Sequence, residues 1–199
     1  MNLTALQDLL KRYGFDDSDP LTEWINAALH EIEVAYPWPF LISKTTIALS
    51  AADTTPALPA DFDKVVTLRI DNSKLSYVDP RALDRDWTLY SGSGAPSIYT
   101  IVDGILYVYP SPDTAYTIEF LYLRNIVELA AGADVPDIPA KLHYTVVLGA
   151  AYIALQAENE EERAQTAFAE FERSLARNWA RLGTENQDEP GQVVNVMGY

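Results

Sequence analysis

The chain has 199 residues, of which 48% are hydrophobic and 22% are charged, so it can bury one sizeable core and does not have the composition of a disordered chain. Its 14 Lys and Arg stand against 29 Asp and Glu, and the formal charge of −15 argues against unaided binding of nucleic acid, because neutralising phosphates requires a basic surface. It contains no Cys, which excludes disulfides, thiolate metal sites and cysteine nucleophiles.

Two helices are predicted in the first 40 residues. Apolar side chains at helical spacing mark the first helix: Leu3, Leu6, Leu9, Leu10 and Tyr13. Gly14 suits a left-handed cap at its end. Asp19 followed by Pro20 is typical of the N-cap and first turn of a second helix, which should run to about Tyr36.

The segment after the second helix cannot be helical, since Pro37 and Pro39 lack an amide hydrogen and disfavour helix in the residue before them. We expect Trp38, Pro39 and Phe40 to form a structural anchor where the helical part meets the next region.

Residues 41–124 show period-two patterns rich in aromatic and β-branched residues, which predicts a β-rich insert. The clearest hairpin signal is Asp103-Gly104 between the strands Ser97–Val102 and Ile105–Tyr109. A third strand, Ala115–Leu123, is expected to extend this hairpin to a meander.

Two further elements are predicted in the first half of the insert. Val65–Ile70 and Leu75–Val78 should form a second hairpin around Asp71-Asn72-Ser73. Pro80–Trp87 is predicted to be a short helix.

Two more helices follow Pro139. The first, from about Ala140 to Glu158, is apolar around most of its circumference and should be central in the core. The second, from about Glu160 to Leu182, has one apolar stripe: Ala164, Phe168, Phe171, Leu175, Trp179 and Leu182. Its charges match the helix dipole, with acidic residues at the start and arginines toward the end: Glu160, Glu161, Glu162, Arg173, Arg177 and Arg181. Gly183 should end it.

The composition of residues 184–199 changes from polar to apolar. Residues 184–191 have the composition of an exposed linker, whereas residues 192–199 turn apolar again. An extended apolar segment of this kind suits addition to a sheet edge or docking in a groove of a partner. The candidate docking residues are Val193, Val194, Val196, Met197 and Tyr199.

Taken together, these patterns predict an α+β fold. A four-helix body would be formed by an N-terminal helical pair in residues 1–40 and a C-terminal helical pair in residues 125–183. The β-rich meander and hairpin region of residues 41–124 is inserted between them, and residues 184–199 form an extended tail.

No pattern typical of catalysis is found. His30 and His143 are interpreted as polar or capping side chains, and Gly92-Ser93-Gly94 lacks the context of a nucleophile elbow or a dinucleotide fingerprint. We therefore expect no enzymatic activity, no cofactor and no metal. The N-terminus lacks the apolar core of a signal peptide, and the longest apolar stretch, Tyr144–Leu155, is too short to span a membrane, so we expect synthesis in the cytoplasm and no membrane contact.

One alternative of another class stays open. The insert carries many tyrosines, which most often pack a sheet but also serve as stacking platforms for sugars. A glycosidase would need two carboxylates across a cleft, and pairs such as Asp61 with Asp63 or Asp84 with Asp86 are more simply explained as solvated faces and caps. The alternative is a carbohydrate-binding or carbohydrate-cleaving module.

Several short motifs occur in a characteristic order. They are Trp24-Ile25-Asn26, Trp38-Pro39-Phe40, Leu58-Pro59-Ala60-Asp61-Phe62, Tyr77-Val78-Asp79-Pro80, Pro96-x-x-Tyr99, Leu106-Tyr107-Val108-Tyr109-Pro110, Asp137-Ile138-Pro139 and Leu148-Gly149-Ala150. By their order and spacing, from Leu3 to about Trp179, the chain resembles the head-to-tail adaptor (connector, head-completion) proteins of tailed bacteriophages.

The resemblance implies a structural virion protein in the neck between capsid and tail. Such adaptors are expected to form a twelvefold ring beneath the portal. The ring extends the DNA channel and offers a platform for the tail. The implied partners are the portal protein, further copies of the chain, tail or nozzle proteins, and double-stranded DNA that passes without sequence-specific binding. A tail-tube terminator or another neck protein is the alternative within the virion.

Overall fold

The computed structural model describes residues 1–185. The chain divides into two compact units: one combines Met1–Leu41 with the chain from Ile126 onward, and the other is Ile42–Asn125. The first unit is helical and the second contains both β-sheets. The α+β class predicted from the sequence is thereby confirmed.

The helices are α1 (Leu3–Leu10), α2 (Leu21–Ala35), α3 (Pro80–Arg85), α4 (His143–Ala157) and α5 (Glu161–Glu185). Short 3-10 turns lie at Lys11–Tyr13, Pro39–Leu41, Trp87–Leu89 and Ala140–Leu142. The strands are β1 (Ile42–Leu49), β2 (Phe62–Ile70), β3 (Ser73–Lys74), β4 (Ser76–Tyr77), β5 (Ile98–Val102), β6 (Ile105–Tyr109) and β7 (Tyr116–Arg124).

Helix α4 is the centre of the helical unit, as its apolar composition predicts. It contacts α1, α2 and α5, and most of its residues are buried. Gly149 lets α2 and α5 approach α4 closely: a Cβ added there would lie 2.9 Å from Cε2 of Phe171 and 3.1 Å from Cβ of Ala28. The side chain of Asn26 binds the returning chain by donating to the Leu129 carbonyl and accepting from the Leu129 amide.

The predictions for the helix ends are confirmed in part. Gly14 adopts the expected left-handed conformation, with φ 109°. The Asp19 cap is wrong: Pro20 is the N-cap of α2, and Asp19 accepts from the amide of Asp16 instead. The prediction that Gly183 ends the last helix is also wrong, because α5 continues to Glu185; a glycine inside a helix costs only about 1 kcal/mol.

The sheet unit contains two sheets that share one apolar core. The four-stranded sheet has the order β1-β7-β2-β3, with β7 antiparallel to both β1 and β2. The three-stranded sheet has the order β4-β5-β6. The buried core residues are Leu49, Leu68, Ile70, Leu75, Leu106, Val108, Ile118, Phe120 and Tyr122.

The hairpin of β5 and β6 is confirmed, with positive φ at both Asp103 and Gly104. The meander is wrong, since β7 lies in the other sheet. Two contacts explain this: Ser111, between β6 and β7, exchanges backbone hydrogen bonds with residues 92–94, and the Val108 amide of β6 donates to the Thr54 carbonyl. The 9-residue β7 instead pairs with the long strands β1 and β2.

For the second hairpin, the predicted turn is confirmed and the predicted second strand is wrong. Asp71 and Asn72 have positive φ, and β2 pairs with β3 across them. The chain then leaves this sheet, and β4 runs parallel to β5. The short helix is confirmed as α3, whose N-cap Asp79 accepts from the amide of Arg81.

Candidate interaction surfaces

Trp38 lies within a group of four aromatic residues in the helical unit, which we call the aromatic cluster: Tyr36, Trp38, Phe40 and Trp179. Trp38 is 0% exposed, and its ring meets those of Tyr36 and Trp179 edge-on at 5.4 and 5.5 Å between centroids. Tyr36 and Trp179 are stacked at 5.1 Å. The cluster therefore joins the C-terminal end of α2 to the last turns of α5.

Local backbone chemistry explains how Trp38 reaches this position. Carbonyls in the last turn of a helix have no partner within the helix. The indole Nε1–H of Trp38 donates to one of them, the carbonyl of Ile32. Pro39 begins a 3-10 turn that ends at Leu41, so the chain leaves α2 in a fixed direction. Pro39 and Phe40 are half-buried.

The predicted docking residues lie outside the described residues. These are Val193, Val194, Val196, Met197 and Tyr199. They follow α5 in the sequence, and α5 ends at Glu185. Trp179, which belongs to the aromatic cluster, therefore precedes the predicted tail by a few residues along the chain.

The two histidines lie in different environments. His30 is exposed and contacts Glu33 at 3.2 Å. His143 is buried, with Nδ1 facing the N-terminal amino group and Nε2 facing the carbonyl of Ile138 at 3.3 Å. Burial lowers the pKa of His143 below its usual range, and the nearby ammonium group lowers it further. A neutral ring satisfies both contacts, because Nδ1 accepts and Nε2–H donates.

The carboxylates and tyrosines of the sheet unit do not converge on one described cavity. Asp61 accepts from the hydroxyl of Tyr122, whose pKa is raised by burial and by this hydrogen bond. A cavity of about 230 Å³ lies among α3, β5 and β6, and the one carboxylate that lines it is Asp84. Its other lining residues are Pro80, Leu83, Thr100, Val102, Tyr107 and Tyr109. This cavity offers sugar-sized aromatic surface without the paired carboxylates that glycoside cleavage needs.

Helix α5 exposes two surfaces to which the sequence patterns gave other roles. Phe168, placed by its spacing on the apolar stripe, is 39% exposed and packs against Tyr152 at 4.9 Å between ring centroids. The prediction fails because the buried face is centred on Ala167, Phe171 and Ser174, and Phe168 lies beside that face. A cavity of about 410 Å³ opens next to it, between the end of α4 and the start of α5.

The second surface is a row of arginines on α5, namely Arg173, Arg177 and Arg181, which are all exposed. The helix dipole does not account for the row, because the last turn of α5 contains no basic residue. The signal that could have revealed the row is the repeated spacing of four residues with like charge.

Within residues 1–185, no group of three or more His, Asp or Glu side chains is placed to hold a metal ion. In the same part of the chain, every helix is too short or too polar to cross a bilayer.

Comparison with known proteins gives one family-level result. The model of the family described as SU10 adaptor protein matches residues 1–194. No curated protein matches the chain. The family match covers both the helical unit and the sheet unit, and it extends beyond α5.

Proposed function

Because the chain belongs to the SU10 adaptor protein family, we propose that it is the head-to-tail adaptor that forms a ring beneath the portal of a tailed bacteriophage. The match over residues 1–194 is the observation that carries the proposal. A phage adaptor is a structural protein, and the ring, its stoichiometry and its place in the neck of the virion are the parts that we propose. The expected partners are the portal, neighbouring copies and tail or nozzle proteins.

The architecture supports a role in assembly. Each unit has its own buried core, so a subunit can fold before it meets its partners. The aromatic cluster fixes the last turns of α5 to α2. A segment that follows a fixed helix end starts from a defined point, which reduces the entropy lost when it docks.

We propose that the apolar tail residues make the portal contact. Within residues 192–199, Val194 and Val196 alternate with Val193, Asn195 and Met197, as suits an extended strand on a sheet edge or in a groove. The preceding linker is too polar to form a core, so we assign the contact to the apolar residues that follow it.

The acidic charge suits the proposed DNA channel. A net charge of −15 repels phosphates, whereas a basic wall would bind DNA through counterion release. Double-stranded DNA would then pass without being held at each step.

The test uses the full chain and the portal protein of the same phage. Deleting residues 191–199 should abolish co-sedimentation with portal and leave the thermal melting transition of the free protein unchanged. A chain with serine at the five docking positions should behave like the deletion: Val193, Val194, Val196, Met197 and Tyr199. The matched control replaces Gln192 and Asn195 by serine and should still bind.

Electron microscopy of the mixture decides between the neck proteins. A ring on the portal supports the adaptor, and attachment to the end of the tail tube would identify a tail-tube terminator instead. Co-sedimentation of the deletion at wild-type affinity would assign the portal contact to the helical unit.

A further inference from the structure

One buried hydroxyl group in the described part of the chain lacks a hydrogen-bond partner. The polar side chains buried within residues 1–185 are Thr100, His143, Thr145, Ser174 and Asn178. All but the first form hydrogen bonds: the hydroxyl of Thr145, for example, bonds to that of Ser174 at 2.7 Å and accepts from the amide of Asn178 at 3.1 Å. Among the buried side-chain nitrogen and oxygen atoms of the described residues, Oγ1 of Thr100 alone has no partner in the protein.

The hydroxyl of Thr100 is unfavourable in the folded chain by itself. Thr100 is 1% exposed and lies in the middle of β5. Burying a hydroxyl without a hydrogen bond costs the free energy of its lost hydration. Valine has nearly the same shape and would fill this strand position without that cost. The hydroxyl therefore points to a partner that the folded chain does not supply.

Thr100 lines the cavity of about 230 Å³ among α3, β5 and β6, which we call the Thr100 cavity. One wall is formed by Thr100 together with Tyr107 and Tyr109 of β6, and Thr100 lies directly opposite Tyr107 in the strand register. The other wall is formed by Leu83 and Asp84 of α3. All of these residues belong to the sheet unit, so the cavity is formed within one compact unit.

A ligand in the Thr100 cavity can reach the hydroxyl of Thr100. Rotation about χ1 exchanges the hydroxyl and methyl groups of threonine between staggered positions. Because Thr100 lines the cavity, such a rotation presents Oγ1 to a ligand without a change in the backbone. A hydroxyl both donates and accepts, whereas an ammonium group only donates and a carboxylate only accepts. The partner that satisfies Thr100 best is therefore another hydroxyl.

The other groups of the cavity narrow the class of ligand. The half-buried rings of Tyr107 and Tyr109 offer apolar faces, and the exposed carboxylate of Asp84 accepts hydrogen bonds from hydroxyls. A hexopyranose ring combines an apolar face of C–H groups with hydroxyls at its edge. The volume is below the roughly 300 to 1,000 Å³ of sites for drug-sized ligands, so it suits one sugar ring. The net charge of −15 disfavours acidic sugars.

We propose that the Thr100 cavity binds one neutral hexopyranose ring, as a free sugar or as the end of a glycan chain. The apolar face of the ring packs on Tyr107, and its hydroxyls bond to Thr100 and Asp84. The site binds and does not cleave, because Asp84 is the one carboxylate among its described lining residues and glycoside cleavage needs a pair. This activity is additional to the proposed adaptor role and does not depend on a ring or on the portal.

A titration followed by saturation-transfer-difference NMR tests the site, with methyl glucoside, methyl galactoside and methyl mannoside as probes. Wild type should bind at least one of them with a Kd of about 1 to 10 mM, as expected for a ligand of this size. Thr100→Val should weaken that binding about tenfold, and Asp84→Asn about threefold to tenfold. Asp86→Asn is the matched control, because it makes the same change in charge beside the cavity lining, and it should bind like wild type.

Two substitutions of Tyr107 test the packing of the sugar ring. Tyr107→Ala should abolish detectable saturation transfer, because the apolar face of the sugar loses its support. Tyr107→Phe keeps the aromatic ring and should bind like wild type.

Urea denaturation separates a ligand-binding hydroxyl from a structural one. Thr100→Val should be as stable as wild type or more stable, since it removes an unpaired buried group. Thr145→Val is the matched buried threonine, and it should be less stable than wild type, because Ser174 and Asn178 lose a partner. Thr145→Val should still bind the sugar.

The proposal is overturned if wild type binds none of the three glycosides, or if Thr100→Val binds them like wild type. A marked loss of stability in Thr100→Val would also overturn it, because the hydroxyl would then serve the fold. Butylamine and glucuronate are the competing probes, and binding of either one more tightly than the neutral glycosides would assign the cavity to a charged ligand instead. A glycan array with wild type and Thr100→Val distinguishes the two sources: signals lost in the variant identify a glycan end, and binding of the methyl glycosides alone identifies a free sugar.

Discussion

At the scale of single residues, Trp38 should contribute more to stability than other tryptophans of the described helical unit. It is fully buried, it contacts aromatic rings of two elements, and its indole N–H satisfies the Ile32 carbonyl. We predict that Trp38→Ala lowers the free energy of unfolding by about 3 to 5 kcal/mol, measured by urea denaturation.

Two variants separate the causes of that loss. Trp38→Phe keeps an aromatic ring and removes the N–H donor, so it should cost about 1 to 3 kcal/mol. Trp24→Ala removes a half-buried tryptophan that contacts Phe15, and it should cost less than Trp38→Ala. Equal melting of wild type and Trp38→Ala would show that Trp38 is not a structural anchor.

His143 should make the stability of the helical unit depend on pH. Its pKa is lowered in the folded state by burial and by the N-terminal ammonium group, so the unfolded chain binds its proton more readily. The contribution of His143 to stability is therefore fully present above the unfolded pKa of about 6.5, and it is lost as pH falls from there through the lower pKa of the folded state.

Urea denaturation between neutral and mildly acidic pH measures this effect. The slope of unfolding free energy against pH should be smaller for His143→Gln than for wild type. His30→Gln is the matched control, because His30 is exposed, and it should keep the wild-type slope. Identical slopes for all three proteins would contradict the assignment to His143.

At the scale of elements, the packing of α4 depends on Gly149. An added methyl group would overlap with the ring of Phe171 and press on Ala28, both of which are buried. Alanine gains about 1 kcal/mol of helix propensity over glycine, whereas overpacking a core costs about 1 to 3 kcal/mol. We predict that Gly149→Ala is destabilising in thermal and urea denaturation.

A double-mutant cycle checks the cause. Phe171→Leu alone should destabilise, but combined with Gly149→Ala it should cost less than the sum of the two, because the smaller side chain makes room. Strict additivity would show that the added methyl group does not meet Phe171.

At the scale of the whole molecule, we predict that the free protein is mainly monomeric at micromolar concentration and that rings form on portal. Each unit is folded around its own core, and the charge of −15 makes copies repel. A template aligns repeated contacts that are weak one at a time. Light scattering of the free protein measures this, and a stable ring without portal would contradict it.

The sequence determined the elements whose signals are local. Helical spacing defined α1, α2 and α4, and the all-round apolar surface of α4 predicted its central position. Gly14 marked the end of the first helical segment, and Asp103-Gly104 marked the turn between β5 and β6. The motif order indicated a phage head-tail adaptor, and the family match bears out that level of identity. The roles of Trp38 and of the five tail residues stay predictions, the latter because those residues lie outside the described chain.

The pairing of the strands and the burial of the helix faces depend on contacts in the folded chain. Strand β7 joins β1 and β2 because Ser111 and Val108 are bonded elsewhere, and no local pattern contains those long-range partners. The exposure of Phe168 likewise depends on which face of α5 is buried, and the separation of Arg177 from the helix terminus depends on α5 continuing past Gly183. Strand pairing and helix burial are set by contacts between distant residues, whereas composition and spacing along the chain report only what each residue prefers among its neighbours.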